Sequence, residues 1–200
     1  MVNYWDMPTA LNVNGHDYEI RTDYRDILTI LTALSDPDLV EPDSDDRERT
    51  QVQCLVMLQI LYKDFDKIPV PDYEEAAQKA SEFIDMGLND DTGKSQIRTM
   101  DWQQDAPLII PAINRVQGRE IRALSYMHWW TFLSSYLEIG ECLFSQVIQI
   151  RLKKARGKKL EKWEKEFLNE NKKIVVLKTK LSEAEEAEKR RLEELLKAGD

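Results

Sequence analysis

Between Val52 and Tyr62 the chain places nine apolar side chains in eleven positions: Val52, Cys54, Leu55, Val56, Met57, Leu58, Ile60, Leu61 and Tyr62. A helix built on this run has almost no polar face in its middle, and a helix apolar all round must be enclosed by other elements. The run predicts a helix over 47–64 at the centre of a multi-helix core. A chain of 200 residues can supply the enclosure, since a domain of this size buries roughly 70% of its unfolded surface.

The flanking segments read as the enclosing elements. Ala10–Ile20 (ALNVNGHDYEI) alternates apolar and polar residues about Asn14-Gly15, a pair suited to the positive φ angles of a type I′ turn. A small two-stranded hairpin is expected there, leaning on helices because alone it would be marginal. Ile27, Ile30, Leu31 and Leu34 recur at i, i+3, i+4 and i+7, which predicts a helix over 23–34 with Thr22 or Asp23 as N-cap. Pro37, Pro42 and the acids Asp36, Asp38, Glu41, Asp43, Asp45 and Asp46 predict an exposed acidic loop. Asp72 caps a further helix to about Met86, buried through Tyr73, Ala76, Ala77, Ala80, Phe83 and Ile84, with Gly87 as its C′ residue. Leu88–Met100 reads as a mobile loop.

Asp101 and Gln104 form a capping-box pattern, but Pro107 and Pro111 require that the next helix be kinked or begin later. It should end near Gln117-Gly118. Ile121–Ile139 is the aromatic centre, and Cys142–Ile150 continues into Arg151–Lys159. Lys158–Lys172 forms a charged helix with Leu160, Trp163 and Phe167 on one side, and Ile174–Ala198 a long polar one. The expected fold is mainly α: a compact multi-helix domain over 1–172 with a small N-terminal β-hairpin, then an extended C-terminal helix over 173–200. No internal repeat is visible.

Charge is divided unevenly. Residues 151–200 hold 16 Lys/Arg and 11 Asp/Glu, a net of +5, against −14 in residues 1–150 and −9 overall. An acidic body repels nucleic acid and anionic membranes, so neither is expected as a general partner. Met1–Ala10, with Asp6 and Pro8, lacks the basic start and apolar run of a signal peptide. The longest uncharged apolar stretch, Ala123–Leu137, falls short of the ~20 residues of a membrane span. The protein is expected to be soluble and intracellular.

Side chains that carry chemistry are sparse. Cys54 and Cys142 lie in apolar helical runs, as buried thiols would, and two cysteines make neither a disulfide framework nor a zinc site. His16 falls in the hairpin and His128 beside Trp129, with no metal-ligand spacing between them. The seven glycines are dispersed, so there is no phosphate-cradling loop, and no Gly-x-Ser-x-Gly motif occurs. The acidic loop lacks the Gly and Glu of a calcium-binding EF-hand. The reading is non-enzymatic, with no catalytic, cofactor or metal residues.

Two stretches are candidates for meeting other proteins. Tyr126, Trp129, Trp130, Phe132 and Tyr136 can be core or partner surface; Trp129 and Trp130 are carried as candidate contacts because Trp is enriched at binding hot spots. Arg151, Lys153, Lys154, Arg156, Lys158 and Lys159 place six positive charges together without an acid. They suit a solvated helix end, an acidic protein surface such as another copy's body, or nucleic-acid phosphate. In the last helix Glu188 and Arg191 interrupt the apolar seam of Leu177, Leu181 and Ala184, against a self-contained coiled coil.

Several motifs in order carry a resemblance: Met100–Asp105 (MDWQQD), Ala112–Val116 (AINRV), His128–Phe132 (HWWTF), Glu138–Gly140 (EIG) and Lys153–Leu160 (KKARGKKL). Across about Leu11–Phe167 the chain resembles a family of tailed-phage proteins, the "gene product fifteen" family of siphophages. The resemblance implies tail morphogenesis, of the tail assembly chaperone type, in the host cytoplasm during phage assembly. Such chaperones coat the tape-measure protein and help recruit tail-tube subunits. The implied partners are therefore the tape-measure protein and other tail proteins, with self-association. The alternative is a structural virion component, such as a connector or tail-completion protein. The resemblance brings no catalytic residues.

Overall fold

The computed structural model describes residues 5–41, 44–88, 97–178, 187 and 190–191. It begins with two antiparallel strands, β1 (Ala10–Val13) and β2 (His16–Glu19), pairing Val13 with His16 and Ala10 with Glu19. Asn14 and Gly15 take φ of +47° and +85°, as the Asn-Gly turn requires. The Asn12 side chain locks the turn, accepting from Gly15 N–H and donating to Asp17. Ile20 then bridges Tyr62, while Arg21 donates its N–H to Leu61 O and its guanidinium to Ile60 O. These carbonyls close helix α2 (Asp46–Leu61), which cannot satisfy them itself. The hairpin leans on a helix end.

Helix α1 (Tyr24–Leu34) starts at Asp23, whose carboxylate accepts from Arg25 N–H, and buries Tyr24, Ile27 and Ile30. Helix α2 corrects the expected centre. It packs against α1 and against α3 (Tyr73–Ile84), but within it only Met57, Leu58 and Leu61 are buried, and Leu55 is 39% exposed. Neighbours cover one side of its last two turns, so α2 is a flank of the core. Helix α3 ends in a Schellman motif: Gly87 N–H donates to Glu82 O and Met86 N–H to Phe83 O. The C′ residue is thus Met86, left-handed at φ +53°, and Gly87 follows it.

Asp101 does cap a turn, accepting from the N–H groups of Gln103 and Gln104, but helix α4 (Ala106–Gln117) begins later. Pro107 sits in its first turn, where a missing N–H costs nothing. Pro111 stays inside, so the Pro107 carbonyl receives no i+4 donor. Gly118 closes α4 at φ +65°. Helices α5 (Trp129–Leu137), α6 (Leu143–Ala155), α7 (Lys162–Glu170) and the short α8 (Lys172–Val175) complete the described order.

The fold is mainly α with one small hairpin, and its core has two parts. The larger joins β1 and α1–α6 around Trp129, Tyr62, Phe83 and Phe132. The smaller sets Val147 and Ile150 of α6 against Val175 of α8, with Leu160, Phe167 and Leu168 alongside. Packing therefore continues past the boundary expected at 172. The long helix expected from Ile174 does not start there, since α8 stops at Val175 and Val176–Lys178 are not helical. Most of its remaining length lies outside the described residues, as do Pro42, Asp43 and residues 89–96 of the expected loops.

Candidate functional site

Helix α5 opens with the motif His128-Trp129-Trp130, and the backbone explains its packing. The last carbonyls of α3 lack helical donors. The indole N–H groups of Trp129 and Trp130 donate to Ile84 O and Phe83 O, each at 2.8 Å, which fixes α5 across the end of α3. Trp129 is 1% and Trp130 5% exposed. As partner contacts they are corrected to packing residues: their rings lie against Trp102, Phe132 and Phe83.

His128 is the N-cap of α5. Its Nδ1 accepts from Trp130 N–H, so the proton sits on Nε2, which donates to Pro8 O at 3.1 Å. Burial pushes its pKa below the ordinary 6.5, against the weaker opposing effect of the Pro8 carbonyl. The imidazole is a neutral structural link between the amino-terminal segment and α5. His16 is exposed on the hairpin. Cys54 and Cys142 are both half-buried, and Cys142 is the N-cap of α6. Among the described residues no three His, Cys, Asp or Glu side chains converge as a metal site would require.

The six cations of 151–159 separate into different roles. Arg151 is buried and grips Asp105 in a bidentate pair, with N–O distances of 2.7 and 2.8 Å. Its remaining N–H groups donate to Val175 O, Ile174 O and Thr99 O. All five guanidinium donors are thus used inside the fold, and Arg151 is corrected from a surface contact to an internal staple. Lys153 reaches back 2.6 Å to Glu164, whose other oxygen accepts from Glu161 N–H; both bonds hold the Glu164 carboxyl below its usual range. Lys154, Arg156, Lys158 and Lys159 are exposed and make no ion pair among the described residues. A shallow groove of about 220 Å³ lies between Gln149, Leu152, Lys153, Arg156 and Lys158.

Two further grooves flank α4. One, of about 400 Å³, lies between the α4 end, α5 and the amino-terminal segment, lined by Trp5, Met7, Met86, Val116, Trp130 and polar neighbours. The other, of about 200 Å³, separates Pro107, Leu108 and Pro111 of α4 from Cys142, Leu143 and Phe144. These shapes can take apolar side chains from another molecule. The residues around the larger groove are ones that reading the sequence missed. Trp5 and Met7 stand outside any periodic stripe, and only folding brings them beside Val116. The acidic stretch also has local work: Asp36 caps the turn at Pro37–Leu39, and Asp45 caps α2 by accepting from Glu48 N–H. No helix among the described residues is long and apolar enough to cross a membrane.

A family model described as Bacteriophage Gp15 protein matches residues 5–177. No curated protein and no solved structure matches the chain.

Proposed function

Because the chain belongs to the bacteriophage Gp15 protein family, and so is a phage structural or morphogenesis protein, we propose that it is a non-enzymatic tail assembly chaperone. In this reading it binds the tape-measure protein in the host cytoplasm while the tail is built, and meets other tail proteins and further copies of itself there. The observation that carries the reading is the family match over residues 5–177, which takes in every element of the packed body. The surface supports it, because exposed Trp5, Met7, Val116 and Leu137 offer apolar contacts of the kind an aggregation-prone helical client needs. Inside the fold, His128, Asp105 and Arg151 are committed to caps and pairs, which leaves them structural work.

Co-expression with the tape-measure protein of the same phage tests the proposal. The expected result is co-purification and a gain in soluble tape-measure protein; an insoluble tape-measure protein and no co-purification overturn it. The same family membership accommodates a structural virion component. Mass spectrometry of purified particles separates the two, since a chaperone leaves on assembly and a connector or tail-completion protein remains.

A further inference from the structure

The apolar stripe that runs from Leu160 into α7 is incompletely covered. Leu160 and Phe167 pack on the smaller core cluster, yet Trp163, three residues after one and four before the other, is 51% exposed. The exposed charges along the chain around it sum to net positive: Lys158, Lys159, Lys162 and Lys165 stand against Glu161 and Glu166, the latter 3.9 Å from Lys162. The groove between α4, α5 and the amino-terminal segment has complementary character. It is apolar, about 400 Å³, and the charged residues in its lining, Asp6 and Glu138, are both acids.

We propose that copies of this chain associate head to tail, Trp163 of one copy entering the α4–α5 groove of the next while Lys158 and Lys159 face Glu138. A half-exposed Trp on a surface of net positive charge has the form of an interface anchor, and an apolar pocket whose charged lining residues are acids has the form of its receptor. Knob and groove are different surfaces built from different elements, so the contact is heterologous. Repetition gives a ring if the rotation closes and an open chain if it does not. Because Trp163 stays exposed in the single copy, its own groove does not receive it.

The test uses the full chain alone, so its outcome is separate from the chaperone reading. Sedimentation velocity of the wild type should show a mass that rises with concentration past a dimer, and falls at high salt as screened charge pairs weaken. Trp163→Ala removes the knob, and Ser134→Arg, at an exposed position of the groove wall, blocks the receptor. Each should weaken self-association roughly thirtyfold or more, the scale of a hot-spot residue. An equimolar mixture of the two variants should form a one-to-one dimer and grow no further, since one intact knob and one intact groove remain. Glu138→Lys serves as the receptor variant if Ser134→Arg does not fold. A monomeric wild type, a Trp163→Ala variant that assembles as the wild type does, or a mixture that stays monomeric overturns the proposal. If the wild type is monomeric but Ser134→Arg loses tape-measure capture, the proposal is overturned and the groove's occupant is the tape-measure protein, not a second copy.

Discussion

Asp105 sits in the interior with a carboxylate that needs a cation, and Arg151 supplies one together with donors for three backbone carbonyls. Truncating one member of a buried pair leaves an uncompensated charge, which costs about 3–5 kcal/mol. Arg151→Met is therefore expected to lower unfolding free energy by that amount in urea titration. Arg151→Lys should recover little, because an ammonium cannot reproduce the planar fork. His128 gives a pH signature. Burial keeps its folded pKa below 6.5, so as pH falls the unfolded chain takes up the proton first, and stability drops from about 6.5 down toward the folded value. Its protonation also removes the Nδ1 acceptor that caps α5. His128→Asn keeps a capping acceptor without the titration, so the thermal midpoint of that variant should stay flatter between the two values. The Glu164 carboxyl, held low, loses its contribution only at lower pH, below 4.5, which separates the two effects. None of this is visible in the one-dimensional chain: Arg151 reads as one of six clustered cations, and only the approach of α4 and α8 makes it different.

Helix α2 shows how far a pattern of apolar residues can be taken. Val52–Tyr62 was enough to identify a helix, but a run apolar on all sides does not say how many sides are covered. Burial follows the neighbours: α1 and α3 both pack on α2, yet only Met57, Leu58 and Leu61 are buried within it. Leu58→Ala is expected to cost about 2–5 kcal/mol as a buried truncation, whereas Leu55→Gln, half outside, should stay within roughly 0.5 kcal/mol; chemical denaturation of the two variants checks the contrast. Where local chemistry decides, the chain is legible in detail. Asn14-Gly15 needs positive φ and Gly118 ends α4, because each is settled within a few residues, while the cap of α1, open between Thr22 and Asp23 in the sequence, falls to Asp23. Met86 at C′ was not legible, since glycine next to it would serve the same turn at lower cost. The start of α4 was legible only as a choice, because Asp101 caps a turn whether or not a helix continues from it.

At the scale of the molecule, the candidate site divides along the same line between local and long-range causes. The exposed cations Lys154, Arg156, Lys158 and Lys159 could be read from composition, whereas the groove beside Val116 joins residues more than a hundred positions apart. The same long-range closure holds the end of the body together. Arg151 spans from Thr99 and Asp105 to Ile174 and Val175, and Gln104 adds bonds to Val176 O and Lys178 N–H. A chain stopped after Lys178 keeps all of these bonds, while a chain stopped after Glu170 loses Val175 from the smaller cluster and two acceptors of Arg151. The shorter truncation is expected to cost about 3–5 kcal/mol by urea unfolding, of the order of a buried truncation with stranded donors. Because both changes act through Arg151, their costs should not add: in the Arg151→Met background the same truncation should cost clearly less than in the wild type. Equal costs in the two backgrounds would mean that α8 is held by its apolar contacts alone.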